Sequence, residues 1–123
     1  MHRFDLNNKT AVITGGAQGF GLDIAKKFLK SGAKVIIWDI DKIHLKKAIN
    51  DVRSSSLSFN VVDVTNFKNV EKVVKKITKD SKIDILINSA GITGPTTQLW
   101  NYKIKDWKKI IEINLNGTFH CCK

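Results

Sequence analysis

Four short apolar runs alternate along the chain with longer segments in which apolar residues recur every three or four positions. The runs cover residues 10–14 (TAVIT), 34–39 (KVIIWD), 57–64 (LSFNVVDV) and 84–91 (DILINSAG). Each run is mostly apolar on both faces, which is typical of parallel strands buried between two layers. The pattern therefore predicts four buried strands over these residues.

The segments between the runs have the helical spacing of apolar residues, with lysines on the opposite faces. The first helical segment closes at Ser31 and Gly32, a common helix stop. Two further segments follow, and a fourth begins near Trp107. Right-handed crossovers turn this βαβαβαβα order into an α/β fold, a Rossmann-like doubly wound parallel sheet with helices on both faces. We predict a single domain over residues 1–123.

Length and composition narrow the class of protein. The apolar stretches are far shorter than a membrane span, and the first ten residues lack the apolar core of a secretory signal. The two cysteines, Cys121 and Cys122, are adjacent, so no disulfide framework is predicted. We expect a soluble cytoplasmic protein with no membrane contact and no metal site.

The net charge of +10 raises the possibility of a nucleic-acid partner. The excess is nearly all lysine, however, and arginine occurs only at Arg3 and Arg53. The lysines are spread over every predicted helix, whereas a nucleic-acid surface is expected to cluster its charge and to use arginine. The distribution favours solvated helix faces over a functional basic patch, so we predict no nucleic-acid partner.

Residues 14–21 (TGGAQGFG) place three glycines between the first strand and the first helix. Gly15 is predicted to form a tight turn, Gly19 to let a pyrophosphate approach the backbone, and Gly21 to let the helix lie close to the strand. The spacing is G-x3-G-x-G rather than G-x-G-x-x-G, and the lysine of a P-loop is missing. By themselves, the glycines are also compatible with a simple turn.

Asp39 supplies a second signal at the end of the second strand, eighteen residues after Gly21. A carboxylate at that distance can accept hydrogen bonds from the adenosine ribose of a dinucleotide and would repel a 2′-phosphate. The spacing therefore favours NAD over NADP as the cofactor. The alternative is that Asp39 is only a turn former at a strand end.

Taken together, these segments resemble the short-chain dehydrogenase/reductase family. TGGAQGFG is similar to the family's T-G-x-x-x-G-x-G element, and INSAG at 87–91 is similar to N-N-A-G with serine in second place. VVDVT at 61–65 resembles the adenine-holding segment, and DWKKIIEINLNGTF at 106–119 resembles the helix with the catalytic asparagine. The resemblance spans the whole chain and implies the strand order 3-2-1-4.

The resemblance also implies a role for individual residues. The glycine-rich turn would surround the pyrophosphate, Asp39 the adenine ribose, the third strand's end the adenine, and the fourth strand's end the nicotinamide ribose. Asn114 would bend its helix locally and position a water in the catalytic proton relay. The implied cofactor-binding residues are Gly15, Ala17, Gln18, Gly19, Phe20, Gly21, Asp39, Asp63, Val64, Asn88, Ala90 and Gly91. Gln18 and Ile40 stand where NADP-preferring members often carry a basic residue, which again favours NAD.

The family's catalytic serine and Y-x-x-x-K pair have no counterpart here, because the only tyrosine, Tyr102, is followed four residues later by Asp106. The chain has about half the family's usual length and ends inside a predicted helix. We therefore expect the cofactor-binding N-terminal half of an NAD-dependent oxidoreductase that interconverts a secondary alcohol (sugar, polyol, sugar acid or 3-hydroxyacyl type) and its ketone. It is expected to be inactive alone, and its expected partners are a separate C-terminal half or a homo-oligomer, together with a small-molecule alcohol or ketone substrate. The alternatives are a stand-alone NAD-binding module and a non-functional remnant.

Overall fold

The computed structural model describes residues 4–123, so the first three residues of the N-terminus predicted to lack a secretory signal lie outside the described residues. The strands are β1 (Thr10–Thr14), β2 (Lys34–Asp39), β3 (Leu57–Val61) and β4 (Ile85–Asn88). The helices are α1 (Gly19–Lys30), α2 (Lys42–Val52), α3 (Phe67–Thr78), α4 (Ile104–Ile110) and α5 (Gly117–Cys122). A 3₁₀ turn covers Leu99–Asn101, and a π-helical segment, Ile111–Asn116, joins α4 to α5.

All four strands are parallel and form one sheet in the order β3-β2-β1-β4, which confirms the predicted fold class. β1 pairs with β2 on one side and with β4 on the other; Val12, for example, pairs with Ile36 and with Leu86. Since every strand runs in the same direction, the carboxyl ends of all four lie along one edge of the sheet.

Alternate residues of the central strands point to two separate cores. Ile13 and Ile37 join the core under α1 and α2, whereas Val12 and Trp38 join the core under α3. Each of these four side chains is at most 2% exposed. This two-sided burial explains why the strands read as unbroken apolar runs rather than as alternating ones.

β1 and β2 have the predicted bounds, but β3 and β4 are shorter than predicted. The segment predicted as strand over 57–64 leaves the ladder after Val61, and the one predicted over 84–91 pairs only from Ile85 to Asn88. In both cases, the residues after the strand form hydrogen bonds with side chains instead of pairing with the neighbouring strand. The Asp63 carboxylate accepts hydrogen bonds from the backbone N–H and the hydroxyl of Thr65, at 2.9 and 2.7 Å.

The last helical region differs from the regular helix predicted from Trp107 onward. It begins earlier, at Ile104, and widens into the π-helical segment before α5. Asn114, where the resemblance implies a local bend, lies inside that segment. π-helical turns are rare within helices and occur frequently at functional sites.

The charged residues of the helices support the prediction of solvated faces. Lys47 pairs with Asp51 at 2.6 Å and Lys75 with Glu71 at 3.3 Å, each one turn apart on the exposed side of its helix. Within residues 4–123, no helix combines the length and the apolar character needed to cross a bilayer.

Replacing Ile37 by Ala should destabilise the protein by about 2–5 kcal/mol, because the side chain is fully buried at the centre of the sheet. Ile43→Ala is the matched control, since Ile43 is 80% exposed on α2 and its loss should change the free energy of unfolding by less than about 0.5 kcal/mol. Urea unfolding followed by circular dichroism measures both. Equal effects of the two substitutions would contradict this packing.

Candidate functional site

A cleft of about 440 Å³ opens along the carboxyl ends of the strands. Its lining comes from the segments that follow each of the four strands, which lie far apart in the sequence. The predicted site residues that line it are Gly15, Gln18, Phe20, Asp39, Asp63, Val64, Ala90 and Gly91. A parallel sheet is expected to bind its ligand at this edge.

Five other predicted residues do not line this cleft. Ala17 is buried beneath the glycine-rich turn and Gly21 is buried in the first turn of α1. Gly19 is exposed at the start of α1. Asn88, at the end of β4, and Asn114, in the π-helical segment, lie at the margins of the cleft.

The three glycines of the turn have different structural tasks. Gly15 has φ +61°, and a Cβ there would lie 2.8 Å from the Ala90 backbone, so glycine is required for this close approach. Gly21 presses against the carbonyl oxygen of Gly15, which means that the close contact predicted for Gly21 is made with the turn itself. Gly19 has φ +58°, and no described residue beyond its chain neighbours and its own helix lies within 4 Å of its Cβ position, so its missing side chain leaves open space.

The N-terminus of α1 differs from those of the next two helices. Asp41 caps α2 by accepting hydrogen bonds from two backbone N–H groups, and Asn66 caps α3 in the same way through one. Gln18, at the corresponding position of α1, makes no such side-chain bond, and no acidic residue lies in the first turn. Within the described part of the chain, no side chain caps this end of α1, and anions bind favourably at the positive end of a helix dipole.

Asp39 lies at the end of β2 and contacts the glycine-rich turn. One carboxylate oxygen accepts a hydrogen bond from the backbone N–H of Ala17 at 3.4 Å, and the other accepts one from the N–H of Asp41 at 3.1 Å. The carboxylate thus joins the turn to the end of β2. Each oxygen keeps a lone pair with which it can accept a further hydrogen bond.

The loop between β3 and α3 also lines the cleft, through residues 62–65. The Asp63 backbone N–H donates to the side chain of Asn69 at 2.9 Å, and the Val62 N–H donates to the carbonyl oxygen of Asp39 at 2.9 Å. These bonds hold Asp63 and Val64 at the cleft, where the sequence predicted an adenine contact.

Two residues that sequence reasoning did not single out connect the segments of the site. Thr14, buried at the end of β1, accepts hydrogen bonds through Oγ1 from the backbone N–H groups of Ser89 and Ala90, at 3.1 and 3.0 Å. Gly16 donates its N–H to the Trp38 carbonyl at 3.0 Å and leaves no room for a side chain beside Ile37. A polar residue at the end of an otherwise apolar buried strand was the available signal for Thr14.

Trp38 also lines the cleft without having been predicted to do so. It is 2% exposed, and its indole N–H has no hydrogen-bond partner within the part of the chain that the structure describes. The side chain packs in the core under α3, directly before Asp39 in the sequence.

The side chain of Asn114 forms two hydrogen bonds with the segment that follows β4. Its side-chain oxygen accepts from the Ile92 N–H at 2.9 Å and its amide donates to the Ile92 carbonyl at 2.8 Å. Tyr102 lies away from the cleft, with its hydroxyl beside Gly94. The structure therefore brings Asn114, but not Tyr102, to the margin of the site.

The cysteines differ in their surroundings. Burial, together with the neighbouring Cys122, raises the pKa of the Cys121 thiol to about 11, so Cys121 stays protonated at neutral pH. Cys122 is exposed, and its sulfur accepts a hydrogen bond from the Asn88 amide at 3.4 Å. α5 thus contacts the end of β4 beside the cleft.

Thr14→Val should destabilise the fold by about 1–3 kcal/mol, because it keeps the volume of the side chain but leaves the Ser89 and Ala90 N–H groups without their acceptor. Thr14→Ser retains the oxygen and should cost less than Thr14→Val. Chemical unfolding measures both variants. A serine variant that is less stable than the valine variant would show that packing, rather than the hydrogen bonds, fixes this corner.

The family model described as short chain dehydrogenase matches residues 9–123. A probable NADP-dependent mannitol dehydrogenase of Yarrowia lipolytica is 39% identical, with 100% of this chain and 46% of the relative aligned. The NAD(+)-dependent 2-dehydro-3-deoxy-L-rhamnonate dehydrogenase of a Sphingomonas species is 34% identical over 92% of this chain and 45% of its own.

Among solved structures, the 3-ketoacyl-(acyl-carrier-protein) reductase from Brucella melitensis complexed with NADH superimposes with a TM-score of 0.89. It is 30% identical, and the alignment covers 96% of this chain and 48% of the reductase. The chain thus spans about half the length of the curated relatives that it matches.

Proposed function

Because this chain belongs to the short-chain dehydrogenase family, we propose that its cleft binds NAD for hydride transfer between a nicotinamide ring and a secondary alcohol or its ketone. The family consists of oxidoreductases that use nicotinamide cofactors.

One observation carries the proposal: the glycine-rich turn, Asp39, the Asp63–Val64 loop and the Ala90–Gly91 segment line a single cleft. The uncapped N-terminus of α1 and the open space at Gly19 suit a pyrophosphate. Val64 belongs to the same lining and offers an apolar contact to an adenine ring.

The charges around the cleft support NAD rather than NADP. Three carboxylates, those of Asp39, Asp41 and Asp63, belong to its lining, which contains no lysine or arginine among the described residues. The hydrogen bond from His44 holds the pKa of Asp41 below its usual range, so that carboxylate is ionised at neutral pH. A 2′-phosphate would meet like charges here, while the ribose hydroxyls of NAD would meet hydrogen-bond acceptors.

The chemical step needs more than this site contains. Bound NAD would supply the hydride acceptor, and Asn114 would hold the segment after β4 and help to order a water. The chain has no Y-x-x-x-K pair, so we propose that it binds the dinucleotide but does not turn over by itself. The general acid/base and its lysine would come from a separate C-terminal half, since a homo-oligomer of this chain would lack the same pair in every copy.

The names of the relatives indicate a substrate class. They include dehydrogenases of a polyol and of a sugar acid, as well as 3-oxoacyl reductases. We accordingly place the substrate among secondary alcohols of the sugar, polyol, sugar-acid or 3-hydroxyacyl type.

The free thiols of both cysteines agree with action in the cytoplasm.

Calorimetric titration of the chain should show tighter binding of NAD than of NADP by about tenfold or more, since like charges disfavour the 2′-phosphate. Asp39→Asn removes the charge at the cleft and should narrow the NAD to NADP ratio by about tenfold. Asp51→Asn is the matched control, because Asp51 lies exposed on α2, outside the cleft, and should leave the ratio unchanged.

Equal affinity for the two dinucleotides would contradict NAD preference, and an unchanged ratio in the Asp39→Asn variant would show that Asp39 does not set that preference. A folded chain that binds neither dinucleotide would contradict the proposed function as a whole. NADH absorbance with a panel of alcohols is expected to stay flat for the chain alone, and turnover would show that another residue replaces the tyrosine.

A further inference from the structure

α5 packs against the loop between β3 and α3, which lines the cleft. Gly117 lies against Val64, where a Cβ would come within 2.7 Å of the Val64 Cγ2 atom. One turn later, the Nδ1 atom of His120 lies 2.7 Å from the carbonyl oxygen of Val64. Two residues of one helix thus contact the same residue of the cleft lining.

The chemistry of this contact fixes the state of the histidine. A carbonyl oxygen only accepts hydrogen bonds, so Nδ1 of His120 must carry the proton and donate. The imidazole therefore exists either as the Nδ1–H tautomer or as the protonated ring. Its orientation is also set by packing, since the ring lies 5.7 Å from that of Phe67.

The hydrogen bond of His120 acts where the loop's other bonds do not. Val62 is held by β2 and Asp63 by Asn69 of α3, both through their backbone N–H groups. The Val64 carbonyl is held by His120, which lies 56 residues further along the chain. Val64 is 8% exposed and forms part of the cleft wall, so its position determines the shape of that wall.

We propose that His120 is a positioning residue for the adenine end of the dinucleotide. By donating to the Val64 carbonyl, it holds the loop from Asp63 to Thr65 at the distance that the base requires, without touching the ligand. The inference rests on the proposed function, because it assigns a task at the same cleft.

Two substitutions separate the hydrogen bond from the ring packing. His120→Phe keeps a ring beside Phe67 but removes the donor, whereas His120→Asn keeps an N–H donor near the position of Nδ1 but removes the ring. Leu115→Ala is the control for altering this helical region, because Leu115 is 61% exposed. All variants are made in the full chain, with folding checked by circular dichroism.

The first measurement uses no nucleotide. Hydrogen exchange is followed at the Thr65 and Asn66 amides, both of which bond to Asp63 within the loop. Loss of one hydrogen bond should speed exchange there about fivefold in His120→Phe, with rates near wild type in His120→Asn and Leu115→Ala. Nitrogen-15 NMR of the wild-type ring should show protonated Nδ1 when the imidazole is neutral.

The second measurement compares ligand fragments. The dissociation constants of NAD and AMP should rise about fivefold in His120→Phe and stay within about twofold of wild type in His120→Asn. The dissociation constant of nicotinamide mononucleotide should be the same in all variants, since this fragment has no adenine to contact the loop from Asp63 to Thr65.

The proposal is overturned if His120→Phe matches wild type in loop exchange or in AMP affinity, or if His120→Asn is impaired as strongly as His120→Phe. A neutral ring protonated at Nε2 would also overturn it. Should His120→Phe not fold, His120→Asn decides: wild-type values support the proposal and weakened AMP binding overturns it. A wild-type chain that binds neither NAD nor AMP would overturn the proposed function. Unchanged amide exchange in His120→Phe would instead overturn the role of the hydrogen bond from His120 to Val64. The two failures are therefore distinguishable.

Discussion

Parallel pairing on both sides of β1 is the constraint on which the rest of the structure depends. β1 is buried along its whole length and bonds to β2 on one side and β4 on the other. Because the strands share one direction, the segments that follow them meet at one edge although they are separated in sequence by tens of residues. The cleft exists because these segments must turn away from the sheet there, and the geometry of the turns decides what the edge can bind.

At that edge, residues that hold the fold together and residues left for a ligand alternate along a few positions. Thr14 and Gly15 join the first turn to the segment after β4, and Gly21 packs against the same turn. Among residues 4–123, no residue from outside this turn and helix packs at the Cβ position of Gly19, and no side chain caps the first N–H groups of α1. Asp39 belongs to both groups, because it bonds to the Ala17 backbone and still faces the cleft. Stability and binding are therefore coupled, and a substitution at Asp39 is expected to affect both.

The sequence was sufficient for features that depend on periodicity or on local spacing. Two-sided burial predicted β1 and β2 with their observed bounds, and the order of elements predicted a parallel sheet, whereas the strand order of that sheet came from the family resemblance. Periodicity could not show where β3 and β4 end, since side-chain bonds from Thr14 and within the Asp63–Thr65 turn draw the chain out of the ladder. It could not reveal the contact between His120 and Val64, which depends on tertiary packing across a long separation. The π-helical segment is likewise set by contacts such as that of Asn114 with Ile92, which leave no mark on the apolar pattern.

The central claim is that the carboxyl edge of this parallel sheet accepts an adenine dinucleotide through the glycine-rich turn and Asp39. The most direct test is a titration of isotopically labelled chain with NAD, followed by backbone amide NMR shifts. The account predicts saturable shifts at the Gly15–Phe20 turn, at Asp39 and Ile40, at the loop after β3 and at Ala90 and Gly91. A saturable response at the opposite end of the sheet, around Asn7 and Gly32, or no response from a folded chain, would contradict it.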